Sequence, residues 1–396
     1  MKIIHLSDLH LGIKLHKKDL FEDQKLILKQ IVDKIEQEAP NAVIIAGDIF
    51  DTSQPPDAAK ELYDWLVNAI YRLGIALYII NGNHDPVELL NMCSGVLADS
   101  RVYIASKTDA RLYKFTLRND EFGKCNIYMM PYIKTAYVRA SNEYTDEEKA
   151  SIQNLNDAVR LVLEHANIDD NERNILVTHQ FIQGAMVNDE SRRPVGGLIG
   201  IDASLFAKFD YVALGHLHTA HNAVRENKKL RYCGTPLAYS FDEAPIHDLE
   251  KDEIVGPQIQ KSMTVVEIGE KGSEPVIRKI PLNPLRKLVQ LRGKLEDMLK
   301  QETIDKFASQ IDYFRFILTD KEYQENAQKR LSAHYKYVLN LKYPAIDRSI
   351  DIDFIKLEAE ARLEPIDYLK ALYKENFGEE MSEEELELAM EIFGKE

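Results

Sequence analysis

Cysteine is scarce in this 396-residue chain: Cys93, Cys125 and Cys233 lie far apart, with no CxxC spacing. That excludes a disulfide framework and reads as reduced thiols of a cytoplasmic protein. Long apolar runs are missing too. None approaches the roughly 18 residues a membrane span needs, so no membrane association is expected. The opening "MKIIHLSDLH" passes straight into a strand-like run and a polar loop, without a secretory signal. Basic residues are outnumbered, and the formal net charge of −15 argues against nucleic-acid binding by bulk electrostatics, though not against a local basic groove. Part of the acidity sits in residues 379–396, which hold eight Glu and one Lys and read as a solvated helix face. There is no G-x-x-x-x-G-K-[ST] loop, so any ATP dependence must come from another chain. Repeats and low-complexity segments are absent, and the length exceeds what one core usually covers, so two or more domains are expected.

What is present is a recurring pattern. "KIIHLSD" (2–8), "AVIIAGD" (42–48), "ALYIINGNHD" (76–85), "NILVTHQ" (174–180) and "YVALGHLH" (211–218) are apolar runs that end in polar side chains. Their interiors show little alternation, as in strands covered on both faces. Helical spacing over 19–38 (Phe21, Ile27, Leu28, Ile31, Ile35) and 57–73 (Leu62, Leu66, Ile70) predicts intervening helices. Strand, helix, strand, helix in that order predicts an α/β fold with a helix-covered sheet.

After residue 223 come short alternating runs, "LRYCGTPLAYSF", "SMTVVEIG" and "PVIRKIPL", expected as antiparallel strands that complete a second sheet. "PLNP" (281–284) marks a boundary, giving expected domains of 1–280, 281–345 and 346–396. The middle one mixes strands with a helix over 322–333, enough for a small α+β domain. The last is helical: Pro365 suits a first turn, Ser382 with Glu385 forms a capping box, and Leu386, Ala389, Met390 and Phe393 make one stripe.

In sheets of this kind function collects at the carboxyl ends of the strands. The polar residues there are Asp8, His10, Asp48, Asp51, Asn83, His84, Asp85, His179, His216 and His218. Each motif has a bland reading. Asp-x-His and Gly-Asp often close a strand, "GNHD" could be a hairpin turn, and a lone His179 would more often sit in a core. Their conjunction points to a metal site, since so many buried polar groups need partners. Imidazole with carboxylate suits Mn2+ or Fe2+, and the oxygen ligands also admit Mg2+. Asp48 could bridge two ions. His5, His165, His247 and His334 read as structural, and His16 and His221 as solvent or outer shell.

"SDLHLG…GDIFD…GNHD…VTHQ…GHLH" resembles the calcineurin-like metallophosphoesterase superfamily, and "GDIFDTSQPP", "VALGHLH" and "RYCGTPLAYSFDE" resemble its branch of bacterial SbcD-type nuclease subunits. Leu9 stands where bacterial members often carry Trp, a position that is not a ligand. The resemblance implies a four-layer αββα sandwich with a small α+β capping domain and C-terminal helices. It also implies two divalent ions, Mn2+ first, with Mg2+ or Fe2+ as alternatives. One would be held by Asp8, His10, Asp48 and His218, the other by Asp48, Asn83, His179 and His216. It makes His84 the catalytic histidine; Asp51 is the expected carboxylate that orients it, with Asp85 behind.

The implied activity is phosphodiester hydrolysis at double-stranded DNA ends and hairpins, exonucleolytic 3′–5′ and endonucleolytic, in repair, recombination and replication. The implied partners are DNA and an SbcC-type, SMC-like ATPase, with a homodimer inside a heterotetramer. Candidate DNA contacts are Lys14, Lys17 and Lys18 after the first motif and Arg192 and Arg193 in "SRRPVGG"; Lys228, Lys229 and Arg231 lie on a possible hairpin tip. The face of Ile366, Leu369, Tyr373 and Phe377 could dock the partner or pack internally. Two rivals stand beside this reading: a stand-alone phosphoesterase for small phosphodiesters or phosphoproteins, and a non-catalytic DNA-end scaffold. The length after "PLNP" counts against the first, and His84 beside a full ligand set counts against the second.

Overall fold

A computed structural model describes residues 1–185, 200–322 and 324–343, with Met381, Ser382 and Leu386. The chain divides into Met1–Pro344 and Ala345–Glu396. In the second unit the described feature is a helical hydrogen bond from Leu386 N to Ser382 O, 2.9 Å. Pro365, the Ile366–Phe377 face, Glu385 and the rest of the 386–393 stripe lie outside the described residues, as do Arg192 and Arg193.

The first sheet is built on three parallel strands, β1 (Lys2–Leu6), β4 (Ala42–Ala46) and β5 (Ala76–Ile80), extended by β6 (Val102–Ala105). The second sheet has at its centre β8 (Gly123–Met130), β9 (Arg173–Thr178) and β10 (Tyr211–Leu214), flanked by β7 (Tyr113–Asp120), β11 (His221–Val224) and β12 (Asn227–Tyr232). The five motif-bearing runs therefore divide between two sheets. Alternation along each strand sorts the layers. Ile3, Ile44, Tyr78 and Ile80 face Ile127, Met129, Ile175, Val177 and Tyr211 between the sheets. Ile4, Val43, Ile45 and Leu77 face outward onto Ile27, Ile31 and Ile35 of α1 (Phe21–Glu38) and Leu66 and Ile70 of α2 (Asp57–Arg72). On the far side Tyr128, Leu176, Val212 and Leu214 meet Val159 and Val162 of the helix Leu155–His165. The result is the four-layer αββα sandwich. With both faces covered, each buried Ile, Val or Leu contributes about 1.5–3 kcal/mol, which is why these strands carry so little polar alternation.

One sequence expectation is corrected. β15 (Ser262–Glu267) and β16 (Val276–Pro281) were expected in the second sheet, but β15 pairs antiparallel with β1 and β16 with β15, completing the first. Between β12 and β15 the chain makes β13 (Ile246–Asp248) and β14 (Glu253–Val255). These join β17 (Leu288–Gly293), β18 (Tyr313–Leu318) and β19 (Tyr337–Lys342) in a third sheet. Its own core holds Leu291, Phe314, Phe316, Leu331 and Tyr335. The remaining strands, β2 (Lys14–Leu15) and β3 (Lys18–Asp19), form a small hairpin beyond the first motif. No helix among the described residues is long and apolar enough to cross a membrane.

Candidate metal centre

β1, β4, β5, β9 and β10 all point their carboxyl ends the same way, and the loops that follow them converge. The loops after β1 and β4 stay paired beyond the strands: Asp8 N donates to Gly47 O (3.0 Å), His10 N to Asp48 O (3.0 Å) and Leu11 N to Ile49 O (2.8 Å). To turn their side chains inward, Asp8 (φ 53°), His10 (φ 43°), Asp48 (φ 51°) and His216 (φ 103°) adopt left-handed backbone. Such conformations cost about 1–3 kcal/mol each and persist where the surroundings over-determine them. Here the fold places four of the expected ligands under strain.

The side chains meet closely. His10 Nε2 lies 3.2 Å from His218 Nε2, and His179 Nε2 lies 3.2 Å from Asp48 Oδ2. His216 Nδ1 is 3.2 Å from Asn83 Oδ1, and the His216 N–H donates to both oxygens of Asp8, at 3.1 and 3.2 Å. The Asp8–His10–His218 and Asp8–Asp48–His179 groups each bring their ligating atoms within 4.8 Å of one another, and all five residues are buried. Imidazole nitrogens crowded face to face are poor hydrogen-bond partners for each other but suitable donors to a shared cation. The donor set fits two divalent ions sharing Asp48, with Asp8, His10 and His218 on one side and Asn83, His179 and His216 on the other. Each half mixes imidazole with oxygen donors.

Outer contacts fix tautomers. His179 Nδ1 faces the Ala46 carbonyl at 2.8 Å; a carbonyl only accepts, so Nδ1 carries a proton and Nε2 is the nitrogen left to serve as a ligand once its own proton is lost. His84 Nδ1 faces Asp51 O at 2.7 Å, and the His84 N–H donates to Asp48 Oδ1 at 3.0 Å. Asp51 therefore holds His84 through its backbone. Its carboxylate, expected to do that work, lies instead 3.3 Å from His10 Nδ1, where it orients a candidate ligand. Asp85 does not back Asp51: its two oxygens accept from Phe50 N (2.8 Å) and Gly82 N (2.7 Å) and clip two loops together. Burial, then the Asp48 charge, raises its carboxyl to about 7.

Protonation is tightly linked at the centre. Burial opposes a charged His179, but Asp48 and Asp8 outweigh it and raise the imidazole to about 9. Burial likewise opposes a charged Asp48, yet His179 and His10 hold its carboxyl well below the usual range, while burial pushes Asp8 upward.

Several contributors carry no clear signal in the sequence. Buried Gln24, on α1, donates to Leu9 O and His10 O and accepts from Gly12 N, pinning the first motif's loop. The Tyr132 ring stands edge-on to His179 at 6.2 Å, with Lys134 Nζ 5.8 Å over it. Both were legible only as "PYIK" after another apolar run. Among the candidate DNA contacts, Lys14 and Lys17 are exposed on the β2–β3 hairpin, and Lys18 lies over the Tyr337 ring at 5.2 Å. The β11–β12 hairpin is present but its cations are engaged: Lys228 pairs with Glu274, and buried Arg231 donates to Asn222. His5 bonds Tyr211 OH in the core (2.9 Å) and His221 faces Thr219 O (2.8 Å), both away from the ligand cluster.

The calcineurin-like phosphoesterase family model matches residues 1–220. The SbcD subunit of the SbcCD nuclease from Staphylococcus saprophyticus is 32% identical over 363 residues, covering 90% of this chain and 89% of that protein. Its namesake from Staphylococcus epidermidis is 31% identical over 369 residues, with the same coverage. Among solved structures, a dimetal phosphatase from Danio rerio is 12% identical with a TM-score of 0.41, over 72% of this chain and 98% of that one. With the family matched across more than half of its length and both relatives across nearly all of it, the chain belongs to the calcineurin-like phosphoesterases, dinuclear-metal phosphoester hydrolases, on the branch of the SbcD nuclease subunits.

Proposed function

We propose that this chain is the nuclease subunit of an SbcCD-type complex, hydrolysing phosphodiester bonds at double-stranded DNA ends and hairpins in the cytoplasm, both exonucleolytically 3′–5′ and endonucleolytically. The observation that carries it is His84, fixed through Nδ1 on Asp51 O and through its N–H on Asp48 beside the strained ligand cluster. The curated relatives are named as nucleases, which supports DNA over small esters as substrate.

Two divalent ions, Mn2+ in this reading, would when bound supply a water of lowered pKa and offset charge on the phosphate. The protein's own work is positional. Asp8, His10, Asp48 and His218 hold one ion, and Asp48, Asn83, His179 and His216 the other. Asp51 orients His10, while His84, held at Nδ1 by Asp51 O, would serve the leaving 3′-oxygen as donor only in its doubly protonated form, giving up the Nε2 proton. Lys14, Lys17 and Lys18 on the β2–β3 hairpin contact the DNA in this reading, as do Arg192 and Arg193, and offset the chain's net negative charge. The third sheet acts as a cap that shapes access, and the 346–396 segment docks an SbcC-type ATPase, two copies of this chain pairing within a heterotetramer.

Mn2+-dependent cleavage of an end-labelled hairpin duplex, comparing wild type with His84→Ala beside a small phosphodiester, tests this. DNA cleavage should fall by about 100-fold or more in the variant with metal content retained. Cleavage of the small ester alone, with DNA untouched even when the ATPase partner and ATP are present, would favour a stand-alone phosphoesterase.

A further inference from the structure

Beneath the metal loop lies a buried cation. Lys261, 8% exposed, precedes β15, and all three ammonium protons have acceptors: His218 O (2.9 Å), Thr235 Oγ1 (2.7 Å) and Glu243 Oε2 in a very short ion pair. The His218 carbonyl also accepts from Thr235 N at 3.1 Å, so its position is over-determined. Glu243, equally buried, uses its other oxygen to accept from Tyr239 N (2.9 Å) and Ser240 N (3.1 Å). Tyr239 in turn donates its hydroxyl to Leu9 O, next to His10. One carboxylate thus ties down the backbones of two ligands, His218 through Lys261 and His10 through Tyr239. These are the two whose Nε2 atoms lie 3.2 Å apart.

We infer that Lys261 is a positioning residue of the metal centre: held by Glu243, it fixes the His218 backbone and so the His10–His218 spacing at which one ion is bound. This rests on the two-ion reading above. Half of a purely structural ion pair would affect folding alone, whereas a positioning residue changes metal affinity in a protein that still folds.

The full chain is titrated with Mn2+ and followed by electron paramagnetic resonance, with thermal melting in EDTA as the folding check. The chosen variant is Lys261→Met/Glu243→Gln. It removes both charges together, and a glutamine carbonyl still accepts from Tyr239 and Ser240. The double variant should melt near wild type, bind one of the two Mn2+ ions about tenfold or more weakly, and lose the spin-coupled pair signal. Lys271→Met, which breaks the ion pair with Asp210 at the opposite end of β10, should leave both ions in place. If the double variant does not fold, Thr235→Val, which deletes one acceptor of Lys261, should weaken the same ion several-fold. A folded variant that binds both ions like wild type overturns the role of Lys261 and leaves the two-ion reading intact. A wild-type protein that binds no Mn2+ pair overturns both.

Discussion

His179 shows how the centre holds charge before it meets a metal. With its imidazole raised to about 9, His179 of the metal-free protein carries a proton at physiological pH that it must lose to act as a ligand. Metal binding is therefore linked to proton release. The sign follows directly: lowering the pH restores that proton, competes with the ion and weakens binding. The Mn2+ dissociation constant, measured between pH 6.5 and 8.5, should fall as pH rises, by about tenfold per unit for each proton released. An affinity flat across that window would show that His179 is already neutral in the free protein. Which polar residues converge was legible in sequence because each stands just beyond an apolar run. Their left-handed backbone was not, since φ at Asp8 or His216 is imposed by packing on the facing loops. Nor was the turn of Asp51. Spacing from Asp48 places it in the right loop, but only the fold decides that its carbonyl meets His84 and its carboxylate His10.

At the scale of elements the two sheets touch where the ligand loops leave them. A Cβ on Gly215, just past β10, would sit 2.0 Å from Ala46 O of β4 and 2.5 Å from His179 Nδ1. One on Gly82, after β5, would sit 2.1 Å from Asp48 Oδ1. The obstacle at Gly215 is backbone and cannot swing aside. Gly215→Ala should destabilise the protein by about 1–3 kcal/mol and displace His179 from Ala46 O. A lowered urea midpoint in EDTA together with reduced Mn2+ content would bear this out; wild-type values for both would mean that the strands separate at little cost. Element existence was legible here, because strands buried on both faces advertise themselves as unbroken apolar runs. Partner choice was not. The alternation in "SMTVVEIG" says how its faces are buried, yet nothing in it says that β15 leaves the second sheet's neighbourhood to pair with β1.

For the whole molecule, that return of the chain has a consequence. The third sheet takes β13 and β14 before the chain goes back to the first sheet through β15 and β16, then resumes with β17, so its strands are not contiguous in sequence. It meets the sandwich through apolar packing by Leu288, Tyr337 and Leu339 and through buried polar contacts. Gln290, 1% exposed, donates to Phe241 O and Ala244 O, both at 2.7 Å, and Arg315 donates to Asp242 at 2.7 Å over the Phe241 ring. Arg286 and Tyr313 both reach Asp23 on α1. Severing the chain at 283/284 would leave Gln290, Arg315 and Asp23 without these partners, at about 1–3 kcal/mol for each buried group left unsatisfied. It would also strip β17 of its neighbour β13. Residues 284–343 produced alone should therefore show no cooperative thermal transition by circular dichroism. If that segment instead melted as a two-state unit, it would be an independent domain able to move as a rigid body. Its burial against Phe241 and Asp23 argues for the opposite: a third sheet built into the sandwich, anchored on the same turn that carries Glu243.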